Sequence, residues 1–134
     1  MIYSIEAEIT APVFDTEVTD RVADAITSIF PGAEPTVEHG ELSATVHDLE
    51  HFSECLHRQE ILDTARGVFL DNRRGDSFSF QLKKQAAFED VVNFVVDDPG
   101  ELGAITVRVR VEEPSVEEYV DHIAPPTEDG QPVA

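Results

Sequence analysis

Two lysines, one cysteine and no tryptophan stand in a chain of 134 residues. The single cysteine, Cys55, has no partner for an intramolecular disulfide, so a small disulfide-stapled framework is excluded. No uninterrupted apolar run approaches the roughly 20 residues of a bilayer-spanning helix, so no membrane partner is expected. The opening "MIYSIEAEIT" carries Glu6 and Glu8 where a secretory leader would be basic and has no cleavage site, so a cytoplasmic location is expected. Positive charge is scarce too: nine Lys and Arg oppose 28 Asp and Glu, for a net charge of −19. The acids are spread, with 11 in residues 1–50, nine in 51–100 and eight in 101–134. That spread argues against a concentrated acidic tail or nucleic-acid mimic. It fits a surface adapted to strong brine, where the screening length falls to about 3 Å and self-repulsion is quenched. The chain also lacks a Gly-rich phosphate loop, a Gly-x-Ser-x-Gly elbow and any paired Cys motif. An enzyme is not expected, nor a cofactor.

What is present is a regular alternation of strand and helix patterns. Ile5, Ala7 and Ile9 alternate with polar residues until Pro12, as in a half-buried strand. Val18, Val22, Ile26, Ile29 and Phe30 recur at helical spacing after Asp15 and Thr16, predicting a helix over 16–30 that Pro31 and Gly32 close. A hairpin or bent strand over 35–46 turns at His39-Gly40. Two apolar helical stripes follow, starting after a cap at Asp48 and reaching about residue 70, with a bend near Arg58. Strands are predicted over 77–82, 91–96 and 105–112, with "DDPGELG" as the loop before the last. Ser115 and Glu118 then form a capping box for a short helix that Pro125 stops. Cleanly alternating strands predict one sheet covered by helices on a single face, an α+β architecture in two layers. The expected organisation is one domain over residues 1–124 and a polar, Pro-rich tail over 125–134.

The basic residues are unevenly placed. Segment 58–84 holds Arg58, Arg66, Arg73, Arg74, Lys83 and Lys84 and nets +2, whereas the rest of the chain nets −21. The strand over 105–112 sets Arg108 and Arg110 on its polar face, beside Ser79, Gln81 and Asn93 if the strands share a sheet. Such a face could meet a polyanion, or could be an ordinary wetted surface with cross-strand charge pairs. Arg66 also stands at i, i+3 from Asp63, the spacing of a helix-surface ion pair. His47, His51 and Cys55, spaced i, i+4 and i+8 with Glu54 and His57 nearby, are the best candidates for a metal site. His47 precedes the helix cap, so these residues are expected to serve structural or solvated roles instead. Cys55 as a nucleophile has no identifiable orienting pair.

Several phrases in order, "FPGAE", "ILDTAR", "FQLKKQAAF", "VNF", "LGAITVRV" and "APPTEDGQPV", resemble an archaeal family of small proteins known as RNA-binding domains of unknown function. The resemblance covers nearly the whole chain. It implies a fold like that of the large-subunit ribosomal protein that binds 5S RNA, with helices on a mixed, largely antiparallel sheet. It also singles out Asp63, Arg66, Lys84, Gln85, Ala86, Ala87, Asn93 and Phe94. The family pattern carries a small residue, commonly Gly, two positions after "QAAF" and a basic residue next; here these are Asp90 and Val91. The resulting expectation is a cationic strip of Arg73, Arg74, Lys83 and Lys84, with Gln85 and Asn93 as hydrogen-bonding groups, lying along RNA or within a ribonucleoprotein assembly. Neutralising about four phosphates would give a log–log salt slope near −3 to −4. Tyr3 and Phe88 are the aromatics nominated for stacking. The alternative is a homodimer formed through an open sheet edge or face, without nucleic acid.

Overall fold

A computed structural model describes residues 2–96, 100, 102–128 and 131–132. A five-stranded sheet in the order β2–β3–β1–β5–β4 is built from β1 (Ser4–Pro12), β2 (Thr36–Glu38), β3 (Glu41–Val46), β4 (Ser77–Lys83) and β5 (Ala104–Glu113). All its pairings are antiparallel, so the sheet is not mixed. Helices α1 (Thr19–Ile29), α2 (Glu50–Arg58), α3 (Leu62–Asp71), α4 (Lys84–Phe88) and α5 (Val116–Ile123) complete an α+β fold.

The alternation that signalled the strands also decides their faces. Ile5, Ala7, Ile9 and Ala11 of β1, Phe78, Phe80 and Leu82 of β4 and Ile105, Val107, Val109 and Val111 of β5 are buried under the helices. Phe52 of α2 lies at the centre, its ring stacked 5.0 Å from that of Phe80 and 5.5 Å from that of Phe30. Phe69, Phe78 and Phe94 extend the same ring cluster. Each fully buried Phe contributes about 1.5–3 kcal/mol of transfer free energy, and most of the chain's phenylalanines are spent here.

Local signals explain the connections. His39 and Gly40 both take positive φ, +53° and +76°, which a two-residue hairpin loop requires, and they join β2 to β3. The bend expected near Arg58 is a break between α2 and α3, where Glu60 adopts φ +58°. The Ser115 hydroxyl accepts from the Glu118 backbone N–H at 3.2 Å, forming the predicted cap of α5. At α1 the helix begins three residues later than expected, and neither Asp15 nor Thr16 caps it; Val18 occupies that position with no side-chain cap.

Segment 91–96 does not become a full strand. Leu82 and Phe94 form a single bridge flanked by Lys83 N–H to Asn93 O and Val95 N–H to Gln81 O, both 2.9 Å. Gln59 holds part of the segment instead: its amide donates to Val92 O and accepts from Val92 N–H, each at 2.9 Å. Between β4 and this segment, α4 ends in a turn where Asp90 N–H reaches Ala87 O and Val91 N–H reaches Ala86 O. This is a Schellman closure, and it needs Asp90 at φ +61°. The Gly of the family pattern therefore has a conformational cause, and Asp is among the few other residues that tolerate this geometry. Of the predicted 97–103 loop, residues 97–99 and 101 lie outside the described residues, as do 129, 130, 133 and 134 of the tail. The rest of the tail pairs β6 (Thr127–Glu128) with β7 (Gln131–Pro132), and the Thr127 hydroxyl donates to Asp63.

Candidate nucleic-acid interface

Among the described residues, no element covers the face of the sheet opposite the helices. Register places Glu8, Arg108 and Ser79 in one row across β1, β5 and β4, and Glu6, Arg110 and Ser77 in the next. A third row holds Thr10, Thr106 and Gln81, with Gln81 Nε2 donating to Thr106 Oγ1 at 3.2 Å. Glu6, Glu8, Asp76, Ser77, Arg108 and Arg110 line a shallow cleft of about 430 Å³ on this face. Arg110 donates to Glu112 at 2.9 Å, while Arg108 forms no ion pair among the described residues.

The predicted cationic strip does not assemble. Arg73 and Arg74 precede β4, whereas Lys83 ends it and Lys84 follows, so the seven-residue strand separates the pairs by roughly 20 Å at a strand's rise per residue. Arg73 is further engaged by Glu117 of α5. Arg74 is exposed, its backbone bridging Ser77. The two lysines part because side chains alternate along a strand: Leu82 points inward and Lys83 outward, and the next position turns inward again as α4 begins.

Lys84 is consequently one of the most buried residues of the chain, at 1% exposure. Its Nζ donates to Glu17 Oε1 at 2.8 Å and to Pro12 O, and lies 5.2 Å from the centre of the Phe14 ring. The Glu17 carboxylate is 6% exposed, and the same oxygen accepts from Phe14 N–H at 3.1 Å. Its other oxygen is buried without a hydrogen-bond partner among the described residues. An ion pair so far from water offsets its desolvation only through further contacts, which here serve Lys84 and one of the two Glu17 oxygens, and the pair ties the β1–α1 connection to α4. Lys84 is therefore removed from the set of groups that could touch a phosphate.

The remaining candidates divide between the two sides. Arg66 belongs to the helical layer, where it donates to Asp121 at 2.5 Å and to Ala124 O at 3.2 Å and holds the end of α5. Gln85 is exposed on α4. Asn93 is exposed and stands opposite Lys83, beside the edge of the open face. Ala87 and Phe94 are core residues. The nominated aromatics are both engaged: Tyr3 stacks on His122 at 4.2 Å, and Arg21 lies 5.3 Å above Phe88.

His47, His51 and Cys55 do not converge. His47 lies ahead of α2 with Nδ1 at 3.2 Å from Ile5 O, and His51 faces Glu54 at 3.6 Å. The Cys55 side chain is in the core, where burial pushes its thiol pKa above the ordinary 9.0 despite the nearby Arg58 guanidinium. Burial likewise raises the Tyr119 phenol. Gln59 and Glu17, which hold Val92 and Lys84 on the covered side, carried no signal in the sequence beyond Glu17's sign of charge.

Residues 6–111 match a family model described as RNA binding. A UPF0200/UPF0201 protein of Archaeoglobus fulgidus is 39% identical over 131 residues, which are 97% of this chain but only 40% of that protein. A UPF0201 protein of Pyrococcus horikoshii is 33% identical over 135 residues, 96% of this chain and 95% of its own length. The crystal structure of a UPF0201 protein from Methanococcus jannaschii has the same fold at a TM-score of 0.89 and 33% identity, covering 96% of this chain and 99% of that one.

Proposed function

This chain belongs to the archaeal UPF0201 family and matches a family model described as RNA binding, and from these two findings we propose that it contacts RNA with the open face of its sheet. The carrying observation is the pair Arg108 and Arg110, which are exposed on the face away from the helices, where Arg108 has no ion pair among the described residues. Lys83 and Asn93 extend this half of the face at one end of β4, and Arg74 lies beyond its other end. Glu6 and Glu8 of β1 bound the surface on the other side and would steer a phosphate backbone toward β4 and β5. In this reading the protein is not an enzyme. It acts as a single domain over residues 1–124, in the cytoplasm, as an accessory to RNA or a ribonucleoprotein assembly. Among the described residues, no helix is long and apolar enough to cross a membrane.

Kinship with the large-subunit protein that binds 5S RNA belongs to the same proposal, supported by the layout of helices on one side of a sheet. So does adaptation to brine. The named relatives come from thermophiles, so that part is supported by the −19 charge of this chain alone.

The test is filter binding of labelled RNA to the full chain and to two charge reversals. Arg108→Glu with Arg110→Glu is expected to weaken binding by about tenfold or more, and Arg66→Glu on the helical side to leave it within about twofold. Equal loss in both, or retention by the open-face variant, would overturn this placement. The second reading, a homodimer without nucleic acid, draws on β2, an edge strand whose three residues are all exposed and which includes Val37. A clean dimer on gel filtration, with a protein-like 260/280 absorbance ratio and no RNA retained by any variant, favours it.

A further inference from the structure

We infer that the RNA taken by the open face is base-paired rather than single-stranded. This rests on the RNA-binding reading above and specifies its ligand. Proteins that hold single strands stack successive bases on aromatic side chains. The chain has no Trp, every Phe and Tyr lies among the described residues, and none of these stands on the open face. The core phenylalanines stack on one another beneath the helices. Tyr119 is buried and Tyr3 is spent on His122. Phe14 and Phe88, the last two, lie against cations of the helical side, Lys84 and Arg21; Phe14 is 42% exposed, but it stands in the loop after β1 and not on the sheet.

What the open face does offer is different in kind. Arg108 and Arg110 are forks suited to phosphate oxygens. Ser77, Ser79 and Thr106 beside them carry hydroxyls, which both donate and accept, as a ribose 2′-hydroxyl does. A paired RNA helix presents phosphates and 2′-hydroxyls at its surface and keeps its bases stacked within, so recognition needs shape and polar contacts but no aromatic platform. In strong salt the phosphate contribution fades, and the hydroxyl contacts and fit must carry more of the binding.

Fluorescence anisotropy on the full chain at low ionic strength tests this with three labelled probes: an RNA hairpin, an unpaired RNA of equal length, and a DNA hairpin of the same sequence. The RNA hairpin is expected to bind about tenfold tighter than either other probe, and to lose that advantage in the Arg108→Glu, Arg110→Glu variant. Equal or tighter binding of the unpaired RNA or of the DNA hairpin overturns the inference and leaves the RNA-binding reading standing. Failure of all three probes to bind removes both. Circular dichroism of the variant confirms that loss of binding is not loss of fold.

Discussion

On the helix-covered side of the sheet, Lys84 is enclosed by Glu17, the Pro12 carbonyl and the face of Phe14, whereas on the open side Arg108 stands in solvent with no ion pair among the described residues. Both are cations in a strongly acidic protein, and Lys84 follows directly on a lysine that faces the open side. Sequence proximity thus says little about what a charge does. In the covered layer the surroundings are poor in water, so the ammonium exists only as part of a complete set of contacts and works as a clamp. In solvent the same charge is nearly free energetically, contributes little to stability, and is available to a ligand.

The sharpest way to break this contrast is to remove one half of the clamp. Lys84→Met should cost about 3–5 kcal/mol in denaturant unfolding because Glu17 is left buried and unpaired; adding Glu17→Leu should recover most of the loss. Arg108→Ala, by contrast, should change stability by no more than about 0.5 kcal/mol. If the two single variants cost the same, the distinction between the faces fails. Next in size is Gln59→Ala, which strips both backbone groups of Val92 and should cost roughly 1–3 kcal/mol. Hydrogen exchange should rise first at Val92, while the open-face strands stay protected.

Alkaline titration separates the covered interior by another route. Cys55 and Tyr119 have folded pKa values raised by burial, so the folded state keeps its protons where the unfolded chain would lose them. Stability should be flat with respect to these groups below the ordinary Cys value of 9.0 and fall as pH rises above it. Cys55→Ala should flatten the first part of that fall, and thermal melts across this range would measure it. The smallest effect belongs to the turn after α4: Asp90→Gly should stabilise by at most about 1 kcal/mol by relieving a left-handed φ, again read by denaturant unfolding. A destabilisation there would mean that the Asp90 side chain contributes more than its backbone geometry suggests.

Much of the layout was legible before any coordinates. The alternation of Ile105 to Val111 marked β5 as a strand because one face of it is wet, and His39-Gly40 marked a hairpin because few residue pairs tolerate two positive φ angles. The outward placement of Arg108 and Arg110 followed from the same alternation. The strip of four cations did not survive, since charge density along a chain says nothing about the strand lying between its members. Segment 91–96 shows the other limit. Its pattern is that of a strand, yet it makes one bridge while Gln59 supplies bonds to Val92, an arrangement that depends on the break between α2 and α3.

The sequence by itself determined the periodicities: which strand residues face in, roughly where helices run, and where turns such as His39-Gly40 fall. Local sterics and hydration act over a few residues, so they can be read from a few residues. Only the tertiary structure decided that Glu17 meets Lys84, that Glu117 claims Arg73, and that the Phe and Tyr rings lie away from the open face. Those outcomes depend on which distant segments share a low-dielectric interior, and that is fixed by the packing of the whole chain.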